Sequence, residues 1–276
     1  MRTWLITGVS SGFGRALAEL CLERGDRVVG TLRNEAQRAD FAALVPGRSV
    51  GVLLDVTQDA DVVRVINGVE RDVGAIDVLV NNAGYGLEST VEEASMTEVR
   101  AQFETNVFGA VAVIQAVLPS MRRRRSGHII NITSMGGIVT FPGLGIYHGS
   151  KFALEGITEA LGKEVAAFGI KVIAVEPGGF RTDCAGRSMR RCDQHIADYE
   201  AFIAPLRQAR AERSGKQVGD PAKAAAAIYA IAGELNPPAH LFLGTDALSF
   251  VTTKIDNLQS EMARWTHVTT STDVAQ

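Results

Sequence analysis

The sequence predicts an α/β fold: a doubly wound parallel sheet of seven strands with helices on both faces. Two observations carry the prediction. Short β-branched runs alternate regularly with long amphipathic segments. Strand candidates such as Val78-Leu79-Val80 and Val172-Ile173-Ala174-Val175 are apolar on both faces, as strands covered by helices on each side must be. Right-handed crossovers then wind the repeated units into a sheet helical on both sides.

The elements follow in order. A first strand over Thr3–Thr7 leads to a helix over Gly12–Arg24, which Gly25 ends as the residue after its cap. Arg27–Leu32 and Ser49–Leu54 read as the next strands, and a helix over Asp59–Val73 leads to a fourth at Val78–Asn81. Ser95-x-x-Glu98 reads as a capping box for a long helix over Thr97–Arg122. Then come a strand at His128–Thr133, a helix over Tyr147–Phe168 stopped by Gly169, and a strand at Lys171–Glu176. Asp220-Pro221 is an N-cap with proline behind it, opening a helix over Pro221–Ala232. A strand at His240–Leu243 and a helix over Asp246–Trp265 complete the pattern. Gly178–Gly219 is long, polar and without a clear strand. The reading is one domain over 1–265, with 183–218 as a lid on the substrate and 266–276 as a frayed tail.

Composition narrows the partners. The chain carries 28 basic and 31 acidic residues, a net charge of −3, so nothing calls for nucleic acid. An apolar share of 46% excludes disorder. Cys21, Cys184 and Cys192 form no C-x-x-C pair, which suits a reducing compartment. The N-terminal apolar run stops at Gly8 and does not read as a signal peptide. The longest charge-free stretch, Ser126–Ser150, is broken by polar residues, glycine and proline and does not read as a membrane span. The expectation is a soluble cytoplasmic protein without a membrane partner. The run Arg122–Arg125 could be a basic patch, but cations also suit the end of a helix. No Cys/His cluster has metal spacing, so no metal is expected.

The opening strand runs into Thr7-Gly8-Val9-Ser10-Ser11-Gly12-Phe13-Gly14 and then a helix. Glycines let the backbone turn sharply and approach a ligand, and the helix N-terminus offers N–H groups to a pyrophosphate. Gly8-Val9-Ser10-Ser11-Gly12 also satisfies G-x-S-x-G, the nucleophile elbow of hydrolases. That elbow belongs after several earlier strands, and only seven residues precede Gly8, so a phosphate-facing Ser10 is the better reading.

Three further clusters stand in fixed order: Asn81-Asn82-Ala83-Gly84, Ser134, and Tyr147-x-x-x-Lys151 thirteen residues beyond it. With T-G-x-x-x-G-x-G they resemble the short-chain dehydrogenase/reductase family, in its shorter single-domain, Rossmann-like form. The likeness runs from Thr3 to the strand at His240. It implies that Gly8, Ser10, Ser11, Gly12, Phe13, Gly14, Asn82, Ala83 and Gly84 hold a dinucleotide. Asp55-Val56 resembles the pair beside adenine, although Asp55 could also cap a helix. Pro177, Gly178, Phe180 and Thr182 fall in the segment that resembles the family's nicotinamide-binding stretch.

Residues i and i+4 share a helix face, so Tyr147 and Lys151 point the same way. A free tyrosine has a pKa near 10, and bringing it to neutrality takes about 4 kcal/mol of preferential phenolate stabilisation. A neighbouring ammonium and an oxidised nicotinamide can supply that. By resemblance, Tyr147 is the general acid/base, Lys151 also holds the nicotinamide ribose, Ser134 orients the substrate oxygen, and Asn106 positions a relay water. His148 turns in another direction and is given no role.

An NAD site needs an acid at the tip of the second strand. Here the tip reads Thr31-Leu32-Arg33, which predicts a preference for NADP(H), with NAD(H) as the second choice. Glu35 complicates the local charge. Leu87, Met135, Ile138, Val139, Phe141, Leu144, Met189, Tyr199 and Phe202 suggest an apolar pocket for a bulky ketone or secondary alcohol. The glycine turn and the strand tip are similar to steroid- and retinol-type members. The resemblance implies a homodimer or homotetramer built on the helices Thr97–Arg122 and Tyr147–Phe168. The expected activity is interconversion of a small-molecule carbonyl and alcohol; the alternative is a non-catalytic NADP-binding sensor on the same fold.

Overall fold

The computed structural model describes residues 1–182, 188–193 and 195–274. Cys184 and the first residues of the expected lid lie outside them. The strands are β1 (Thr3–Ile6), β2 (Arg27–Leu32), β3 (Ser49–Leu53), β4 (Val78–Asn81), β5 (Gly86–Glu88), β6 (Gly127–Ile132), β7 (Ile170–Pro177), β8 (Met189–Arg191) and β9 (His240–Leu243). The helices are α1 (Gly12–Glu23), α2 (Glu35–Ala42), α3 (Asp59–Asp72), α4 (Met96–Phe103), α5 (Gly109–Arg124), α6 (Gly145–Val165), α7 (Ala197–Arg213), α8 (Pro221–Ile231) and α9 (Thr245–Thr270).

Seven strands form one parallel sheet in the order β3-β2-β1-β4-β6-β7-β9. Leu5 of β1 pairs with Val29 on one side and Leu79 on the other, so β1 and β4 sit where the winding reverses. Ligands of such sheets bind at that crevice, outside the carboxyl ends of the strands. Alternation along each strand divides the core. Trp4 and Ile6 face α1, α2 and α8 through Leu17, Phe41 and Ile228. Leu5, Leu79 and Ile129 face α3 and α5 through Ile66, Val113 and Met121. Each such side chain contributes about 1.5–3 kcal/mol by leaving water.

The capping box forms as read: Glu98 N donates to Ser95 Oγ at 3.2 Å and Ser95 N to Glu98 Oε2 at 2.9 Å. The helix behind it is longer than expected. It runs from Met96 to Arg124 through a π-turn at Glu104–Phe108. By length and composition this stretch could cross a membrane, but Val113, Ile114, Val117 and Met121 pack into the core. Helices α2, α7 and α9 and strands β5 and β8 depart from the sequence reading. Helix α2 was not anticipated. The stretch Gly178–Gly219, read as lacking a strand, contains β8, paired with β5, and the 17-residue α7. Helix α9 continues through Thr270, past the Trp265 boundary and into the segment read as frayed.

Candidate active site

A cleft of about 1130 Å3 opens at the carboxyl ends of the central strands. Its wall includes Gly8, Ser10, Ser11, Gly12, Phe13, Asn82, Ala83 and Gly84 from the turns after β1 and β4. These turns are laced together. Thr7 Oγ1 accepts from the backbone N–H groups of Asn82 and Ala83, each at 2.9 Å. Asn82 Nδ2 donates in return to the carbonyls of Thr7 and Gly8, each at 2.9 Å. Gly14 does not line the cleft. It lies beneath the lacing, where a Cβ would stand 2.4 Å from Gly8 O and 2.5 Å from Asn82 Nδ2. Gly12 is in the left-handed region, at φ +60°. Ser11 caps α1 without a side-chain hydrogen bond, and no acid occupies the first turn. That leaves the positive end of the helix dipole facing the cleft wall, as an anion site requires.

The residues expected to handle the proton meet in the same cleft. Ser134, Tyr147 and Lys151 all line it. Ser134 starts the short turn Met135–Gly137, and its Oγ accepts from Gly136 N at 2.9 Å. Lys151 is buried, donates to Ile132 O at 2.8 Å, and places its Nζ 6.0 Å from the Tyr147 ring centroid. Asn106 lies outside the cleft wall, in the π-turn, 2% exposed. Its Oδ1 accepts from Tyr85 N at 3.1 Å, and its Nδ2 donates to Tyr85 O at 3.0 Å and Ser150 Oγ at 3.2 Å. It therefore fixes the backbone after β4 and the residue preceding Lys151. π-turns recur at functional sites.

His148, which the sequence reading left without a role, organises this region. It is buried, its Nδ1 bonds Gly136 O at 2.8 Å, and its Nε2 accepts from Phe141 N at 2.9 Å. The amide donor at Nε2 fixes the neutral tautomer with hydrogen on Nδ1. Burial holds its pKa below the usual histidine range. The ring thus joins the loop behind Ser134 to the helix that carries Tyr147.

At the far end the cleft is bounded by Leu32, Arg33, Asn34, Gln37, Asp55 and Val56. Leu32 is buried, so no carboxylate stands at the strand tip. Glu35 is engaged by Arg38, whose Nε donates to both carboxylate oxygens at 2.9 and 2.8 Å. Asp55 Oδ1 accepts from Thr57 N and Oγ1 at 3.0 and 2.8 Å, a turn before α3 rather than its cap, while the residue still lines the cleft. Pro177, Gly178, Phe180 and Thr182 form the opposite wall. Phe180 meets Phe13 edge to face at 5.0 Å. Asp246, unmarked in the sequence, pins this wall: its Oδ2 accepts from Gly179 N at 2.7 Å.

The expected apolar substrate wall is largely elsewhere. Leu87 and Val139 are core residues, 1% and 6% exposed. Tyr199 and Phe202 line a separate hollow with Thr90 and Ile203. Of the nine residues named for the pocket, Met189 is in the cleft wall, beside Tyr85, Ser188 and Arg190. Buried Glu88 anchors this flank, binding Arg191 at 2.9 Å and Arg210 at 2.6 Å. The hydrolase reading lacks the histidine of a Ser-His pair, because none of the histidines lines the cleft that holds Ser10.

Comparisons with known proteins bear on the family and the fold. Residues 2–193 match the family model for short chain dehydrogenases. A 3-ketodihydrosphingosine reductase of Bacteroides thetaiotaomicron is 40% identical over 237 residues, 85% of this chain and 84% of that protein. The crystal structure of a short-chain dehydrogenase from Streptomyces avermitilis is 41% identical, with a TM-score of 0.92 over 99% of this chain and 100% of that one. ElxO with NADP bound is 28% identical, with a TM-score of 0.74 over 90% of this chain and 99% of that one. The chain belongs to the short-chain dehydrogenase/reductase family and is an oxidoreductase.

Proposed function

We propose that the chain interconverts a bulky apolar ketone and the corresponding secondary alcohol with NADP(H). The observation that carries the reading is the convergence of Ser134, Tyr147 and Lys151 on the cleft whose other end is the glycine turn. The residues fit a dinucleotide. The open N-terminus of α1 and the Gly8–Gly12 turn would hold the pyrophosphate, and Pro177, Gly178, Phe180 and Thr182 the nicotinamide end. Arg33 beside a buried Leu32, with Glu35 occupied by Arg38, favours a 2′-phosphate over a free ribose hydroxyl. When bound, the nicotinamide supplies the hydride.

The chain's own part is proton transfer and orientation. Tyr147 gives its phenolic proton to the carbonyl oxygen during reduction and takes it back in the reverse direction. Lys151, held by the Ile132 carbonyl, brings the positive charge that stabilises the phenolate. Ser134 donates to the substrate oxygen and keeps it beside Tyr147. Asn106 holds the Tyr85 backbone and Ser150, and so the bed on which Lys151 rests. The bulky apolar substrate is in keeping with the sphingoid-base ketone named for the Bacteroides relative. The protein works in the cytoplasm as a homodimer or homotetramer through α5 and α6, where Phe108, at the end of the π-turn before α5, and Phe152 of α6 are exposed.

A panel of long-chain ketones and alcohols, followed by NADPH absorbance, tests the reading. Tyr147→Phe should lower turnover by about 10²–10⁴-fold, the usual contribution of a positioned acid, with NADPH binding retained. Wild-type NADPH binding with no turnover on any carbonyl would favour the sensor. Turnover that survives Tyr147→Phe would remove the assignment.

A further inference from the structure

Helix α9 is docked at one end and bare at the other. Ala247 and Val251 are buried against the body, where the helix packs on β9 and on the Met135–Gly137 turn. From Thr252 to Val274 every residue is exposed. The bare part should be polar all round if water were its permanent neighbour. Instead Ile255, Leu258, Met262 and Trp265 stand 47%, 49%, 64% and 53% exposed.

Their spacing identifies the missing neighbour. Counting from Val251, the apolar positions fall at intervals of four, three, four and three residues. A mean repeat of 3.5 is the seam of one helix against another, narrower than the stripe a globular core requires. The buried Val251 is the first residue of this seam, so one continuous stripe serves the body and then runs past it. Charge excludes an anionic lipid surface, which needs lysine and arginine along the polar face. Over 252–270 the charged residues are Lys254, Arg264, Asp256 and Glu261, a net charge of zero, which a second identical helix tolerates. From their fractional exposures, the exposed surface of Ile255, Leu258, Met262 and Trp265 with Val268 comes to roughly 550 Å2. Covered in full, the stripe would supply about two thirds of the ~800 Å2 per partner that a standard specific interface buries, the remainder falling to its polar edges.

We propose that the overhanging part of α9 is a self-association surface, its Ile255–Leu258–Met262–Trp265 stripe packing on the same stripe of a second copy of this chain. The contact is isologous, about a two-fold axis, as a self-complementary patch requires. It is separate from the assembly proposed for α5 and α6, and does not rest on the catalytic reading.

The full-length protein and the double variant Leu258→Glu/Met262→Glu are compared by sedimentation velocity over 1–100 µM. Both substituted positions lie beyond the docked end of the helix, so the fold is checked by circular dichroism and NADPH binding, and Thr253→Glu on the opposite face serves as control. The expected result is a wild-type species that the double variant halves in mass, with Thr253→Glu unchanged. Trp265 gives a second reading. The other tryptophan, Trp4, is fully buried. Iodide quenching should therefore rise at least two-fold in the double variant. A wild type that is monomeric at 100 µM overturns the proposal, as does a double variant whose mass stays that of the wild type. Co-sedimentation of a monomeric wild type with phosphatidylcholine vesicles would assign the stripe to a lipid surface instead.

Discussion

Replacing Gly14 by alanine tests the lacing of the cofactor turn most directly. The added methyl would stand 2.4 Å from Gly8 O and 2.5 Å from Asn82 Nδ2, about 1 Å inside ordinary contact. Neither neighbour can retreat cheaply. Gly8 O belongs to the turn itself, and Asn82 Nδ2 is tied to the Thr7 and Gly8 carbonyls at 2.9 Å. Overpacking of this kind costs about 1–3 kcal/mol. The two Asn82 hydrogen bonds stretch with it, at about 0.5–1.5 kcal/mol each. Together the loss is about 2–6 kcal/mol, a large part of the 5–15 kcal/mol that holds a typical domain. Urea unfolding should show a lower midpoint with an unchanged slope, and NADPH affinity should fall at least ten-fold. Gly12→Ala is the comparison. Among the described residues its Cβ would meet Thr182, Cβ at 3.7 Å and Cγ2 at 3.9 Å, both ordinary contacts, so the cost is that of the left-handed φ, about 1–2 kcal/mol. A Gly14→Ala protein that keeps its urea midpoint and binds NADPH within two-fold of wild type would refute the idea that the two turns are locked through this contact.

Three further outcomes follow from the site. Arg33→Ala should weaken NADPH by about ten-fold or more, the worth of one charge-assisted contact, and leave NADH unchanged; equal losses for both in fluorescence titrations would place Arg33 outside phosphate recognition. His148→Phe leaves Gly136 O and Phe141 N without their partner, at about 1–3 kcal/mol each, and should lower kcat more than it weakens NADPH binding. The third concerns pH. Burial raises the Glu155 carboxyl to about 7 and the Glu176 carboxyl to about 8. The folded chain therefore holds protons that the unfolded chain has released above about 4.5. Their stabilisation is complete below that pH and is lost as pH rises through 7 and 8. Burial lowers the pKa of His128 and His148, so their stabilisation is complete above about 6.5 and is lost below it. Thermal melts should show the midpoint falling from pH 6 to 9, and Glu155→Gln, which mimics the protonated carboxyl, should flatten that fall.

What could be read from the sequence is what local pattern decides. β2, β4 and β9 match their expected bounds because an apolar run between turn residues admits few other interpretations. The order of glycine turn, Asn81–Gly84, Ser134 and Tyr147–Lys151 made a candidate site legible because these clusters follow β1, β4 and β6, three neighbouring strands of one sheet. Failures begin where a partner distant in sequence decides. Helix α2 buries Phe41 alone, and α7 buries Ile203 alone and carries Pro205 inside it, so neither shows an amphipathic stripe. What holds the flank of α7 is Glu88, through Arg191 and Arg210 more than a hundred residues away. Asp246 reaches Gly179 across 67 residues, and no local signal marks it.

The substrate wall failed for a different reason, and α9 shows why. Apolarity in a loop or on a helix says that a side chain will leave water, but not what will cover it. Leu87 is covered by its own domain, Met189 faces the cleft, and Ile255 is left about half exposed. Composition treats the three alike. Only the spacing around them differs: a seven-residue repeat at Ile255 and none at Leu87 or Met189. Periodicity sustained over three turns therefore carries information about the partner that hydrophobicity lacks, because only another helix matches a 3.5-residue seam. A substrate imposes no period on the residues that touch it. The wall that selects the substrate is for that reason the part of this protein least encoded in local pattern, and the residues to change first are those the fold brings to the cleft from separate elements: Tyr85, Met189 and Arg190.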